Sequence, residues 1–198
     1  MNTVIENETY SNLLSLLKIE NYTPSPAAAT LLSTNARYIK DLKINVSNVL
    51  NNSQTLNKKE ALLLAYSIAV NEKFPLLRES LATLATEAGA TQEELAEVVS
   101  ITSLMNVNNV FYRFRHFLEK DFYNNQPAGI KMSVMVNPVL GKELFELISL
   151  VVSSVNGCEM CVKSHEAKLI GTGTTENKIF EAVKLGAVIK GLITILAA

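Results

Sequence analysis

Gly89-Ala90-Thr91-Gln92-Glu93-Glu94-Leu95-Ala96-Glu97-Val98-Val99 aligns with Gly173-Thr174-Thr175-Glu176-Asn177-Lys178-Ile179-Phe180-Glu181-Ala182-Val183. In each stretch a glycine stops one helix and a threonine opens the next. Thr91 with Glu94 three residues on is a capping box: hydroxyl and carboxylate satisfy the free backbone N–H groups of a new helix. Thr174 or Thr175 does the same work in the second stretch. The same offset sets Phe74-Pro75-Leu76-Leu77 against Cys158-Glu159-Met160-Cys161, and Leu81 against His165. The order long helix, short turn, helix, glycine stop, capped helix therefore occurs twice. This predicts an all-α domain built from two pseudo-repeats, about 57–122 and 140–198, with only the second carrying two thiols.

Working outward, every segment reads as helix. Asn57 caps a helix that runs to Asn71, and Pro75 opens another that ends at Gly89. Gly141 to Val155 is strongly apolar, and Asn156-Gly157 is a turn signal before a helix from about Cys158 to Ile170. Ahead of the repeats, Ala36, Ile39, Leu42 and Val46 recur at helical spacing within residues 34–50. Residues 1–33 read as an N-terminal extension, and 34–198 as the domain proper. Within the extension Leu13, Leu14, Leu16 and Leu17 share one side of a short helix, Pro24 and Pro26 break it, and residues 27–32 restart it. The expected role is a strap on the body or on a neighbouring subunit. No segment alternates with period two for long enough to be a strand.

Composition narrows the function. With 198 residues, 48% of them hydrophobic and 19% charged, the chain has material for one sizeable core. Lys plus Arg (18) balances Asp plus Glu (19), so there is no general attraction to nucleic acid or anionic lipid. No run of apolar residues is long enough for a membrane span. Met1 to Glu8 has neither a basic start nor an apolar core, so a signal peptide is not expected and the expected location is cytoplasmic. Residues 105–120 mix Phe111, Tyr112, Phe114 and Phe117 with Arg113, Arg115 and His116. An RNA-binding surface is one reading. The neutral net charge favours a helix with aromatics inward and arginines outward.

The chemistry is concentrated between residues 155 and 165, which hold both cysteines of the protein and one of its two histidines. On a helix Cys158, Cys161 and His165 fall on one face, at steps of three and four. The preceding turn puts the cysteines in the first helical turn, where free N–H groups and the helix dipole favour a thiolate. A free thiol titrates near about pH 8.5, so such activation matters at neutral pH. His165 is placed to exchange a proton with Cys161, and two thiols at this spacing can close a disulfide in a two-electron cycle. Glu146 interrupts the apolar run Leu144-Phe145-Glu146-Leu147-Ile148. It meets His165 if the two helices fold back antiparallel, and is otherwise a plain exposed position. The same four residues are also compatible with zinc, although there is no second CxxC or second nearby histidine. Inert core cysteines are a further reading. A thioredoxin-like motif requires a βαβ context that is absent.

Glu146, eleven residues, Cys158-x-x-Cys161-x-x-x-His165 resembles the active-site signature of the alkylhydroperoxidase D (AhpD) family, within the carboxymuconolactone decarboxylase-like superfamily. Met105 to Leu118 (MNVNNVFYRFRHFL) is similar to the family segment MNNVFYRxRxFL, and Met132 to Pro138 (MSVMVNP) also fits. The resemblance spans roughly residues 35–198. It implies an all-helical antioxidant protein, a homotrimer with no bound cofactor. Such a protein reduces alkyl hydroperoxides and a partner AhpC-like peroxiredoxin, and draws electrons from dihydrolipoamide on a lipoylated acyltransferase. By position it makes Cys161 the peroxidatic cysteine, Cys158 the proton donor and resolving thiol, and Glu146 with His165 a proton relay. The best-known members carry a histidine immediately before the second cysteine, where this chain has Met160. Two alternatives stay open: another activity of the decarboxylase-like superfamily, and a non-enzymatic zinc-binding helical module.

Overall fold

The computed structural model describes residues 7–198, so the first six residues of the predicted extension lie outside it. The described residues form α1 (Glu8–Leu16), α2 (Pro26–Ser33), α3 (Tyr38–Asn51), α4 (Lys58–Asn71), α5 (Pro75–Glu87), α6 (Gln92–Leu118) and α7 (Asp121–Asn125). A 3₁₀ turn at Ser133–Met135 leads to α8 (Lys142–Val155), α9 (Glu159–Gly171) and α10 (Glu176–Ala197). No strand occurs among these residues, and the fold is all-α.

The helix boundaries follow local chemistry. Asn57 and Thr91 each accept a hydrogen bond from the third helical N–H, and Glu60 and Glu94 reach back to the cap N–H. Thr175 caps α10. Thr174 instead donates its hydroxyl to Glu143 at the start of α8. The lengths of α4, α5 and α6 are 14, 13 and 27 residues, and those of α8, α9 and α10 are 14, 13 and 22. Each series passes through a glycine with positive φ, Gly89 or Gly173, before its threonine-capped helix.

Helix α4 is the centre of the core. Every residue from Ala61 to Ala69 is buried, the mark of a helix enclosed on all sides. It packs against α3, α5, α6, α8 and α10. The segment ahead of α3 shares this core: Leu13 and Leu17 are fully buried, and Ser80 of α5 donates its hydroxyl to the Leu17 carbonyl. Ser25 donates to the Ile195 carbonyl at 2.6 Å and Ala27 N–H to the Ala198 carbonyl at 3.1 Å, which ties α2 to the end of α10.

Helices α8 and α10 are in close contact at Gly186. A Cβ added there would land on Cγ1 of Val151, whose β-branched side chain has little rotamer freedom to give way. Gly186→Ala is therefore expected to cost about 1–3 kcal/mol by overpacking. The reading is a lower urea midpoint at unchanged slope. An unchanged midpoint would show that the two helices separate at no cost.

Residues 105–118 differ from expectation. They form the second half of α6, and its aromatics are not uniformly inward: Phe114 is 45% exposed and Phe117 73%. The reason is length. At 27 residues α6 is about 40 Å long, whereas the helices beside it are about half that, so its last turns run past the core. The arginines are not a free basic surface either. Arg113 donates to the Asn156 carbonyl at 2.7 Å. Arg115 donates to the Gln126 carbonyl and lies over the Phe111 ring, 4.6 Å from its centroid.

Candidate active site

The turn between α8 and α9 is built before the cysteines are placed. Gly157 takes φ +68°, a conformation that a side chain would strain. The Cys158 N–H then donates to the Ser153 carbonyl at 3.1 Å and the Gly157 N–H to that of Ser154 at 3.2 Å, a Schellman arrangement that closes α8. Other helices hold this turn in place. Asn156 donates to Asn109 Oδ1 at 2.9 Å and accepts from Asn71 at 3.0 Å; Asn109 donates to Ser153 at 2.9 Å. Arg113 clamps the Asn156 carbonyl from outside. The reversal of direction lays α9 back along α8.

This geometry corrects one expectation. Cys158 is not in the first turn of α9; it is the N-cap residue, with extended backbone (φ −97°, ψ 90°). Only Cys161 lies within that turn, at the third helical position, on one face with His165 a turn later. The two cysteines are joined in a disulfide with Cα atoms 5.3 Å apart. Both sulfurs thus lie at the N-terminus of a 13-residue helix, where unpaired N–H groups favour negative charge on sulfur once the bond is reduced.

The sulfurs are not equivalent. Cys158 is 1% exposed, whereas Cys161 is 7% exposed and lines a cavity of about 330 Å³ between α6, the 3₁₀ turn and α9. His165 lines the same cavity, with Asn108, Tyr112 and the methionines 132, 135 and 160. Met160, immediately before the second cysteine, gives the cavity an apolar wall at that position. Its neighbour Glu159 turns outward to Lys163 at 2.5 Å and His116 at 3.6 Å. A larger, more open depression of about 540 Å³ lies between α5 and α6, among Thr83, Glu87 and Gln92, and holds neither cysteine nor histidine.

Glu146 meets His165. Its Oε2 lies 2.5 Å from Nδ1 of the imidazole, and its Oε1 3.2 Å from the Lys168 ammonium. An ionised carboxylate only accepts hydrogen bonds, so Nδ1 carries the proton and Nε2 is left as the other ring nitrogen. Burial raises the Glu146 pKa. The hydrogen bond and charge of His165, with those of Lys168, more than offset this and hold the carboxyl below its ordinary range. Glu97 of α6 fixes where α8 begins: its buried carboxylate accepts the Val139 and Leu140 N–H groups at 2.8 and 2.7 Å. Glu146 lies in the second turn of the helix so anchored.

The four residues singled out from sequence are thus brought together by α8 and α9. Asn108, Arg113 and the asparagines around Asn156 are additions. The signals for them were the similarity of residues 105–118 to a family segment and, for the asparagines, the run Asn106, Asn108 and Asn109 inside a helix, where asparagine is a poor choice unless it has a partner.

Residues 124–198 match the carboxymuconolactone decarboxylase family. A protein of Solibacter usitatus named alkyl hydroperoxide reductase AhpD is 36% identical over 166 residues, covering 84% of this chain and 93% of that protein. Proteins of the same name from Maricaulis maris and Coxiella burnetii are 35% and 33% identical, over 92% and 88% of their lengths. Identity of this order reaches far beyond the cysteine motif and takes in the helices that position it, which makes this chain a member of the AhpD family.

Proposed function

We propose that the protein is a dithiol hydroperoxide reductase in which Cys161 attacks and Cys158 resolves. The observation that carries this is the asymmetry of the pair: Cys161 opens on a cavity together with His165, and Cys158 is buried behind it. In the reduced protein the Cys161 thiolate attacks the outer oxygen of a hydroperoxide. The S–O bond forms, the O–O bond breaks, and the leaving alkoxide takes a proton from His165, whose orientation Glu146 fixes. Cys158 then attacks the sulfenic sulfur, water leaves, and the disulfide seen in this structure results. Overall, one hydroperoxide and two thiols give one alcohol, one water and one disulfide.

A dithiol must return two electrons to close the cycle, and dihydrolipoamide on a lipoylated acyltransferase is the proposed donor. A peroxiredoxin disulfide is the proposed second substrate. The assembly proposed is a homotrimer in the cytoplasm. Self-association is supported by Val107, Val110, Phe114 and Phe117, which form one exposed apolar stripe along α6. Among the described residues no helix is long and apolar enough to cross a membrane.

The test is thiol trapping. Reduced protein treated with one equivalent of an alkyl hydroperoxide is expected to lose both free thiols and give the 158–161 disulfide, and dihydrolipoamide is expected to restore both. Thiols that survive the peroxide, together with stoichiometric zinc in the reduced protein, would support a metal-binding module instead.

A further inference from the structure

Asn108 is 7% exposed and sits on the wall of the cavity that holds Cys161 and His165. Its amide nitrogen makes only a weak contact, 3.7 Å to the Met132 sulfur. Its Oδ1 is buried and meets no donor at all. An unsatisfied buried acceptor is expensive, and such groups tend to mark function. The other asparagines of this helix give a contrast. Asn109, one residue after, uses both its amide nitrogen and its Oδ1 to hold the turn around Asn156, and Asn106, two residues before, donates its amide nitrogen to Asn71 and to the Thr102 carbonyl. Asn108 faces the other way and contributes nothing to that network.

We infer that Asn108 is the hydrogen-bond acceptor for the hydroperoxide O–H, and so positions the outer oxygen for attack by Cys161. The inference rests on the peroxidase reading above. A hydroperoxide carries one O–H donor, on the oxygen that the thiolate attacks. Of the polar groups lining the cavity, Lys168 is a donor only, and His165 has Nδ1 committed to Glu146 and Nε2 to the proton transfer. The Ser164 and Tyr112 hydroxyls also line it and can accept, but neither is an acceptor already stripped of water and partner. The hydroperoxide proton stays on its oxygen when the O–O bond breaks, so the same Asn108 oxygen then accepts from the sulfenic acid O–H. That holds the intermediate in one orientation until Cys158 reaches it. The Met132 contact uses the amide N–H and does not compete for Oδ1; Oδ1 itself is closed off in this structure, and movement of the flexible, unbranched Met132 side chain lying against the Asn108 amide uncovers it to the substrate.

The experiment is stopped-flow oxidation of reduced protein by tert-butyl hydroperoxide, with Asn108→Leu as the near-isosteric apolar variant and Asn108→Ser as a smaller polar one. Alkylation of Cys161 by iodoacetamide across pH is measured in parallel. The expected result is a second-order oxidation rate about tenfold or more lower in Asn108→Leu, a smaller loss in Asn108→Ser, and an unchanged alkylation profile in both. A hydroperoxide rate within twofold of the parent, or an alkylation rate that falls in step with it, would overturn the inference. Should Asn108→Leu not fold, Asn108→Ser alone decides on the same criteria. If the parent protein itself shows no Cys161-dependent oxidation, the peroxidase reading fails and takes this inference with it; a fast parent with an equally fast variant removes the inference alone.

Discussion

The Cys161→Ser protein reduces no hydroperoxide: the expected loss is roughly a thousandfold or more, to the rate of the free reductant. The argument is chemical as well as geometric. A serine hydroxyl at the same helix N-terminus is not ionised at neutral pH and forms no sulfenic acid. Cys158 cannot replace Cys161, because it is 1% exposed and absent from the cavity lining. Cys158→Ser is expected to behave differently. One hydroperoxide is consumed per chain and turnover then stops, because Cys161 is left as a sulfenic acid with no resolving thiol. Dimedone is expected to label that variant after peroxide, and neither the parent nor Cys161→Ser. Labelling of Cys161→Ser would reverse the assignment of the two sulfurs. Turnover by both single variants would show that the disulfide is not part of the cycle.

The parts of this site that were legible in the sequence are those fixed by short-range rules. Asn57, Thr91 and Glu94 name helix starts because a cap acts over three residues. Cys161 and His165 share a face because a helix repeats every 3.6 residues. Glu146 was a harder case. A carboxylate in an apolar run needs a partner, but only the Schellman turn at Gly157 decides that α9 folds back far enough to supply it. Cys158 was misplaced by one helical position, since the same turn uses its N–H to close α8 and leaves it as a cap. The partners of Arg113, Asn109 and Asn156 were out of reach, because their bonds join α6 to the turn before α9 across more than forty residues. The exposure of Phe114 and Phe117 depends on where neighbouring helices end, which no property of residues 105–118 contains.

Glu146→Gln is expected to lower hydroperoxide reduction by about a hundredfold at neutral pH, with Cys161 still able to close its disulfide over long times. Glutamine is nearly isosteric, but it brings no negative charge to His165 and is free to present either oxygen or nitrogen to Nδ1, so the tautomer is no longer fixed. The pH dependence separates this from simple misfolding. In the parent the carboxyl is held below its ordinary value of about 4.5. The ionised form therefore persists as pH falls and is lost only when pH passes through that lowered value, and the part of the acid limb that depends on Glu146 lies there. The stability that Glu146 contributes has the same sign: present above the unfolded value, lost on acidification through the folded one. Lys168 contributes to the lowering, at 3.2 Å from Oε1. Lys168→Met is thus expected to shift the acid limb of the rate profile to higher pH while leaving the neutral plateau nearly intact. The double variant Glu146→Gln/Lys168→Met gives the sharper result. With no carboxylate to titrate, removal of the lysine cannot move a Glu146-dependent limb, so the double variant is expected to show the same acid limb as Glu146→Gln. If Lys168→Met shifts the acid limb equally in both backgrounds, that limb belongs to another group and Glu146 does not set it.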